Sequence, residues 1–290
     1  FCRPACRQAG LPVTTLRSLG EAGEDKRHSH VFCRDKEKRK TPPPSLISLF
    51  IGYTFSMIIS SPLTLAFLAG ALPPLVWLWF WLHEDRHPEP KRLVALAFLA
   101  GIVAIPVALL IEWIIKDILQ SSFGPAAQFG LTMIIAAAAV EEISKWALIR
   151  AFLFKKKEYD EPVDAMVYLI SGALGFAAGE NILYLSNEFQ KSFREGFMTG
   201  NLRFIGSTLL HAIASGVVGY MIARSFTSAA LKKRLATTGG LILASALHAS
   251  FNISIIISRG ENIEFPLLLL AGTGLFLLWG FENIKKQKQI

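Results

Sequence analysis

Cysteine is nearly missing from this chain of 290 residues: there are three, Cys2, Cys6 and Cys33, and all precede the first clear apolar run. No disulfide framework, thiolate nucleophile or cysteine-based zinc site can form in the apolar part. Cys2 and Cys6 are spaced C-x3-C with no matching pair downstream, so they read as incidental tail residues. Charge is also scarce: 18% of residues are charged and 52% hydrophobic, with a mean hydropathy of +0.42. A soluble domain carries about 25% charge. The apolar residues gather in continuous runs of about 18–28, each long enough to cross a ~30 Å hydrocarbon core. A soluble globular enzyme and a disordered or collagen-like chain are excluded. An outer-membrane barrel would show alternating segments of about ten residues, which do not occur here. The G-x-S-x-G elbow of serine hydrolases and the H-E-x-x-H zinc helix are both missing.

The net charge of +8 invites a nucleic-acid reading, but residues 1–45 alone hold ten Lys or Arg against five acids. The other basic residues cluster in short loops between apolar runs, as the positive-inside rule produces, so no nucleic-acid partner is expected. Residues 1–45 lack apolar periodicity and end in a basic run and Pro42-Pro43-Pro44; they read as a disordered or spurious tail. The first methionine is Met57, which suggests a start near the first clear span. Residues 46–60 are apolar but short, and read as an extra span, an interfacial helix or untranslated sequence.

The pattern predicts an all-α, polytopic bundle of seven spans, or eight if 46–60 crosses. The seven cover about 62–83, 93–115, 127–154, 162–186, 204–226, 235–258 and 265–282. Trp77, Trp79, Trp81 and Trp113 fall near span ends, as aromatic belts do. With loops one, three and five and the C-terminus on one side, that side holds fourteen basic residues and the other five. The expected orientation is C-terminus cytoplasmic.

A charged side chain at a span centre costs about 2.5–3.5 kcal/mol on insertion scales. Six ionisable groups stand out inside the spans: Glu141, Glu142, Lys145, Glu180, His211 and His248. Lys145 follows Glu141 by four residues and Glu142 by three, so it can neutralise either on a helix. Glu180 sits among Gly172, Gly175, Ala177, Ala178 and Gly179, which let a neighbouring helix approach closely. His248 and Asn252 share one helical face. All four helices carry their group at a compatible depth, roughly 10–20 Å from the same side. Isolated polar residues in spans often only hydrogen-bond across helices. Carboxylates and histidines in a membrane also relay protons, so a proton- or ion-coupled transporter or channel is the alternative to an enzyme. No inverted repeat or broken-helix pair supports it.

Glu141-Glu142-Ile-Ser-Lys145 resembles the EExxK motif of the PrsW family of intramembrane proteases. Phe176-Ala-Ala-Gly-Glu180 resembles its FxxxE motif, and His248-Ala-Ser-Phe-Asn252 its final HxxxD/N motif. Asp85-Arg-His-Pro88-Glu89-Pro90 and Asp160-Glu161-Pro162-Val-Asp164 fit as well, and the resemblance covers about residues 62–258. The family is similar to type II CAAX prenyl proteases and Abi proteins, in which FxxxH stands where this chain has Glu180. The resemblance implies a membrane protease domain over 62–284, in a prokaryotic inner or plasma membrane. Its substrate would be a membrane-anchored protein, such as an anti-sigma factor cut near the outer face in a stress response.

Peptide hydrolysis needs an activated water, an acid for the leaving amine and a donor for the oxyanion. By analogy Glu141 is the general base, assisted by His211 or Glu180. His248 and Asn252 stabilise the oxyanion, and Glu142 and Lys145 orient and balance Glu141; Phe176 supports the site. Asn252 has a second reading, as acceptor for the His248 ring N–H. Metal-free glutamate catalysis is the favoured expectation. Zinc on Glu180, His211 and His248 is its rival, because two His and one Glu form an accepted catalytic ligand set. The basic asymmetry predicts that a green fluorescent reporter fused to the C-terminus is active and a fused alkaline phosphatase is not. Phosphatase activity alone would reverse the orientation.

Overall fold

A computed structural model of the chain describes residues 61–84, 88–124, 130–258 and 263–286. The tail 1–45, the segment 46–60 and Met57 lie outside the described residues. The helices are α1 (Pro62–Leu82), α2 (Lys91–Phe123), α3 (Leu131–Phe152), α4 (Asp164–Lys191), α5 (Phe193–Ile205), α6 (Ser207–Arg224), α7 (Ala230–Ile257) and α8 (Glu264–Lys285). No strand occurs among the described residues. Hydrocarbon offers backbone N–H and C=O groups no partners, so apolar runs of this length must satisfy them within the helix. Starts are marked where the sequence supplies caps. The Ser61 hydroxyl accepts from the Thr64 N–H at 3.2 Å, ahead of Pro62 at the first helical position. The Ser192 hydroxyl accepts from the Glu195 N–H at 3.1 Å and opens α5.

Helix α4 is the axis of the bundle. Nearly every residue from Asp164 to Ala178 is buried, and α1, α2, α3, α5 and α6 all pack on it. Its Gly and Ala residues make that enclosure feasible, because a thin helix admits close neighbours on every side. A Cβ on Gly101 of α2 would stand 1.8 Å from the Gly172 carbonyl oxygen of α4, and one on Gly175 would stand 1.9 Å from the Phe98 carbonyl oxygen. These two crossings hold α2 and α4 backbone against backbone.

Six helical segments among the described residues are long and apolar enough to cross a membrane: α1, α2, α4, α5 with α6, α7 and α8. The expected seventh, α3, has the length but carries Glu141, Glu142, Lys145 and Arg150, and it turns Glu142 and Lys145 fully inward. The second span is longer than expected. It continues as helix through Lys116 to Phe123, 33 residues in all. The fourth loop is also a helix: α5 occupies 193–205 and meets α6 at Gly206, where ψ is −87°. Trp79 and Trp113 are exposed on the outside of the bundle. Trp77 and Trp81 instead serve the interior. Trp77 donates to the Phe204 carbonyl at 3.0 Å, and Trp81 stacks on Phe281 at 5.6 Å.

Contacts place loops one, three and five and the C-terminal end of α8 together at one end of the bundle. Arg92 pairs with Glu158, Tyr168 donates to Glu89, Tyr159 meets Phe226 edge-on at 5.4 Å, and Lys285 pairs with Glu84. Asp164 pins loop three by accepting the Asp160 and Glu161 N–H groups at 2.9 and 2.7 Å. The described parts of the two acidic, proline-bearing stretches, Pro88 to Pro90 and Asp160 to Asp164, therefore shape this end. Overpacking a close crossing costs about 1–3 kcal/mol. Gly101→Ala and Gly175→Ala should each lower Tm in detergent with losses at the upper end of that range. Gly272→Ala, whose added methyl meets nothing within 4 Å, should leave Tm unchanged.

Candidate active site

The ionisable residues singled out from sequence converge. Helix α3 supplies Glu141, Glu142 and Lys145, α4 supplies Phe176 and Glu180, α6 supplies His211 and α7 supplies His248. Glu142 is the hub. One carboxylate oxygen accepts from the Lys145 ammonium at 2.6 Å and from His248 Nδ1 at 2.9 Å, and the other accepts from the Ser215 hydroxyl at 3.1 Å. With Nδ1–H given to Glu142, the His248 Nε2 lone pair faces Glu141 Oε2 at 3.8 Å. Lys145 also donates to His211 Nδ1 at 3.0 Å, so His211 carries its proton on Nε2 and donates it to Glu180 Oε2 at 2.9 Å. These tautomers follow from the partners.

Glu180 is held from its other side by Arg203, which arrives at the end of α5 and donates at 2.7 Å. Arg203 also donates to Asn181 Oδ1 at 2.6 Å and lies 4.2 Å from the centre of the Tyr184 ring. Asn181 donates in turn to Thr208 at 2.9 Å. Phe176 packs on this web, 5.3 Å from the His211 ring and 4.9 Å from the Lys145 ammonium. The Glu141 side chain makes no hydrogen bond in this web among the described residues. Glu141 Oε2 is buried and has no hydrogen-bond partner among the described residues, although His211 Nδ1 and His248 Nε2 stand 4.0 and 3.8 Å away. Glu141 and Glu180 line a cavity of about 290 Å³ between α2, α3 and α4.

A family model described as PrsW family intramembrane metalloprotease matches residues 89–279. The chain belongs to the PrsW family. It is a multi-pass integral membrane protein and an intramembrane protease. The Protease PrsW of Geobacillus kaustophilus is 29% identical over 224 residues, which cover 76% of this chain and 90% of that protein. The Protease PrsW of Bacillus subtilis is 25% identical over 77% of this chain and 95% of its own length. That of Oceanobacillus iheyensis is 29% identical over 73% and 89%. No solved structure matches the chain.

Several placements differ from the sequence expectation. Lys145 pairs with Glu142 and leaves Glu141 alone. Glu142, not Asn252, takes the His248 ring N–H, so Asn252 has no part in orienting that ring. Asn252 is half-buried one turn along α7 and makes no side-chain hydrogen bond among the described residues. Two participants were missed. Arg203 reads as a loop cation because its role depends on α5 bringing it back over Glu180. Glu112 lines the same cavity as Glu141 and Glu180. Its signal was present, a lone acid near the end of a predicted span.

For a metal, the structure gathers Glu141, His211 and His248, whose ligand atoms lie within 4.8 Å of one another. Glu141 thus stands where the sequence reading put Glu180, whose carboxylate is already shared by Arg203 and His211. The set suits a divalent ion in kind. It has an orphaned carboxylate oxygen and an imidazole pinned from behind by a second carboxylate, the usual support for a metal-bound histidine. His211 would have to release Lys145 to join.

Removing one partner of a buried ion pair strands the other and costs about 3–5 kcal/mol. Lys145→Met should therefore destabilise the protein by that order, read as a drop in Tm. Lys145→Met with Glu142→Gln should recover a large part of the loss. A double variant no better than the single one would contradict the role given to this pair.

Proposed function

We propose that this PrsW protein hydrolyses peptide bonds of membrane-anchored protein substrates with water activated by Glu141. The observation that carries the reading is Glu141 Oε2, unpartnered among the described residues and buried 3.8 Å from His248 Nε2, on a residue that lines the cavity. A carboxylate oxygen kept free of the surrounding network is available to a water. The 3.8 Å gap to His248 lets one water contact both groups. Glu141 takes the proton as the water oxygen attacks the scissile carbonyl carbon, and the protonated group then delivers it to the leaving nitrogen. His248, backed by the Glu142 carboxylate, can share that proton and favours it on Nε2. Asn252 supplies an amide donor for the developing oxyanion. Glu180, Arg203, His211 and Lys145 hold the geometry. The resemblance points to single-span substrates such as an anti-sigma factor, and the basic asymmetry to a cytoplasmic C-terminus in a prokaryotic inner membrane.

A second reading has one specific observation behind it. Four carboxylates (Glu112, Glu141, Glu142, Glu180) face two cations (Lys145, Arg203), leaving two formal negative charges in excess. A divalent ion on Glu141, His211 and His248 would balance them and would supply Lewis-acid polarisation of water or carbonyl. Membership of the family weighs against a proton- or ion-coupled transporter.

The test is cleavage of a panel of tagged single-span proteins co-expressed with wild type or Glu141→Gln. Gln keeps shape and hydrogen bonding but cannot accept the proton, so cleavage should fall by about 10²–10⁴-fold with yield and Tm unchanged. Undiminished cleavage by Glu141→Gln would end the reading. In the metal-free form, purified protein holds less than one equivalent of zinc and still cleaves after dialysis against chelator. Stoichiometric zinc with chelator-sensitive cleavage would establish the second reading instead.

A further inference from the structure

A second and larger cavity, of about 670 Å³, opens where α3, loop three, the end of α6 and the start of α7 meet. It belongs to the end of the bundle that holds loops one, three and five. Three cations line it, Arg150, Lys233 and Arg234, and no carboxylate lines it among the described residues. None of the three makes an ion pair among the described residues. At the same end Arg92 finds Glu158 and Lys285 finds Glu84. Here aromatic faces take that place: Arg150 lies 5.5 Å from the Trp146 ring centre and Lys233 5.8 Å from that of Phe226. Such faces steady a cation without neutralising it. The Trp146 indole N–H is also buried without an acceptor. Ile222 and Leu241 complete an apolar side.

We infer that this cavity binds the phosphate ester of an anionic headgroup. The three cations are exposed along one concave wall, where a compact anion can reach all of them, and the apolar side suits the glycerol and first methylenes behind it. Basic pockets between spans at a membrane surface bind lipid phosphates in this way. Its place at the ends of membrane helices makes a phospholipid the nearest source. A free phosphate ester has the same chemistry. The site is separate from the Glu141 cluster and does not rest on the proposed reaction.

The experiment uses the full chain in phosphatidylcholine nanodiscs, titrated with phosphatidylglycerol and, separately, with soluble glycerol 3-phosphate. Bound ligand is read by native mass spectrometry and by the rise in Tm. Arg150→Gln/Lys233→Gln/Arg234→Gln empties the wall of charge. Lys155→Gln/Lys156→Gln/Lys157→Gln removes the same charge from exposed positions outside the cavity. The expected result is phosphatidylglycerol binding weakened on the order of a hundredfold in the first triple and near wild type in the second. Saturable glycerol 3-phosphate binding lost only in the first triple supports the same site with a soluble source. Equal losses in both triples, or none in the first, overturn the inference. Should the first triple express poorly, Thr238→Glu, which sets an anion in the lining, must alone weaken binding at least tenfold.

Discussion

Glu142 and Lys145 are fully buried in an apolar bundle, where neither charge can draw on water. The attraction between them is stronger there than at a surface, but it does not by itself repay the desolvation of both ions. Each must also spend its remaining hydrogen-bonding capacity on neighbours. Glu142 does so on Ser215 of α6 and His248 of α7, and Lys145 does so on His211 of α6. The need to keep two charges solvated by protein thus fixes the register of three helices against one another. The same bonds select the tautomer of each histidine. The conformation of the reactive groups is in this sense a by-product of keeping one ion pair alive in a dry environment.

The backbone makes that arrangement reachable. An axial helix with bulky side chains would hold α2, α3 and α6 too far apart for a lysine, two histidines and three carboxylates to meet. Small residues along α4 let the neighbours close in, and carbonyl oxygens rather than side chains set the contact distance at Gly101 and Gly175. Polarity and tight packing are linked: the first supplies the chemistry and the second brings it to hydrogen-bonding range.

The span pattern was legible because hydrocarbon allows few alternatives: six of the seven expected spans are helices long and apolar enough to cross, and the seventh is the charged helix α3. So were Glu141, Glu142, Lys145, Glu180, His211 and His248, since charge in an apolar run is conspicuous. What could not be read was the wiring. Lys145 lies within helical reach of both acids, and only the positions of α6 and α7 show that Glu142 wins it. Arg203 joins through a short helix whose polar sequence looks like a loop and whose return over Glu180 is a tertiary event. Glu112 was conspicuous by the same rule as the others, and it joins them only because α2 crosses α4 so closely. The belt pattern misassigned Trp77 and Trp81 because periodicity near a span end does not say which face meets lipid.

The modest volume beside Glu141 has a bearing on what can be cut. A helix with side chains is about 10–12 Å across and rises 1.5 Å per residue, so it fills roughly 120–170 Å³ per residue. The cleft of about 290 Å³ beside Glu141 is narrow against that scale. A strand-like segment can enter where a coiled one cannot. On the reaction proposed above, a transmembrane segment would give up internal hydrogen bonds before its carbonyl carbon came within reach of Glu141. Choice among membrane proteins would then follow from how easily a stretch of their helix melts, with glycine, proline and β-branched residues near one end acting as the address.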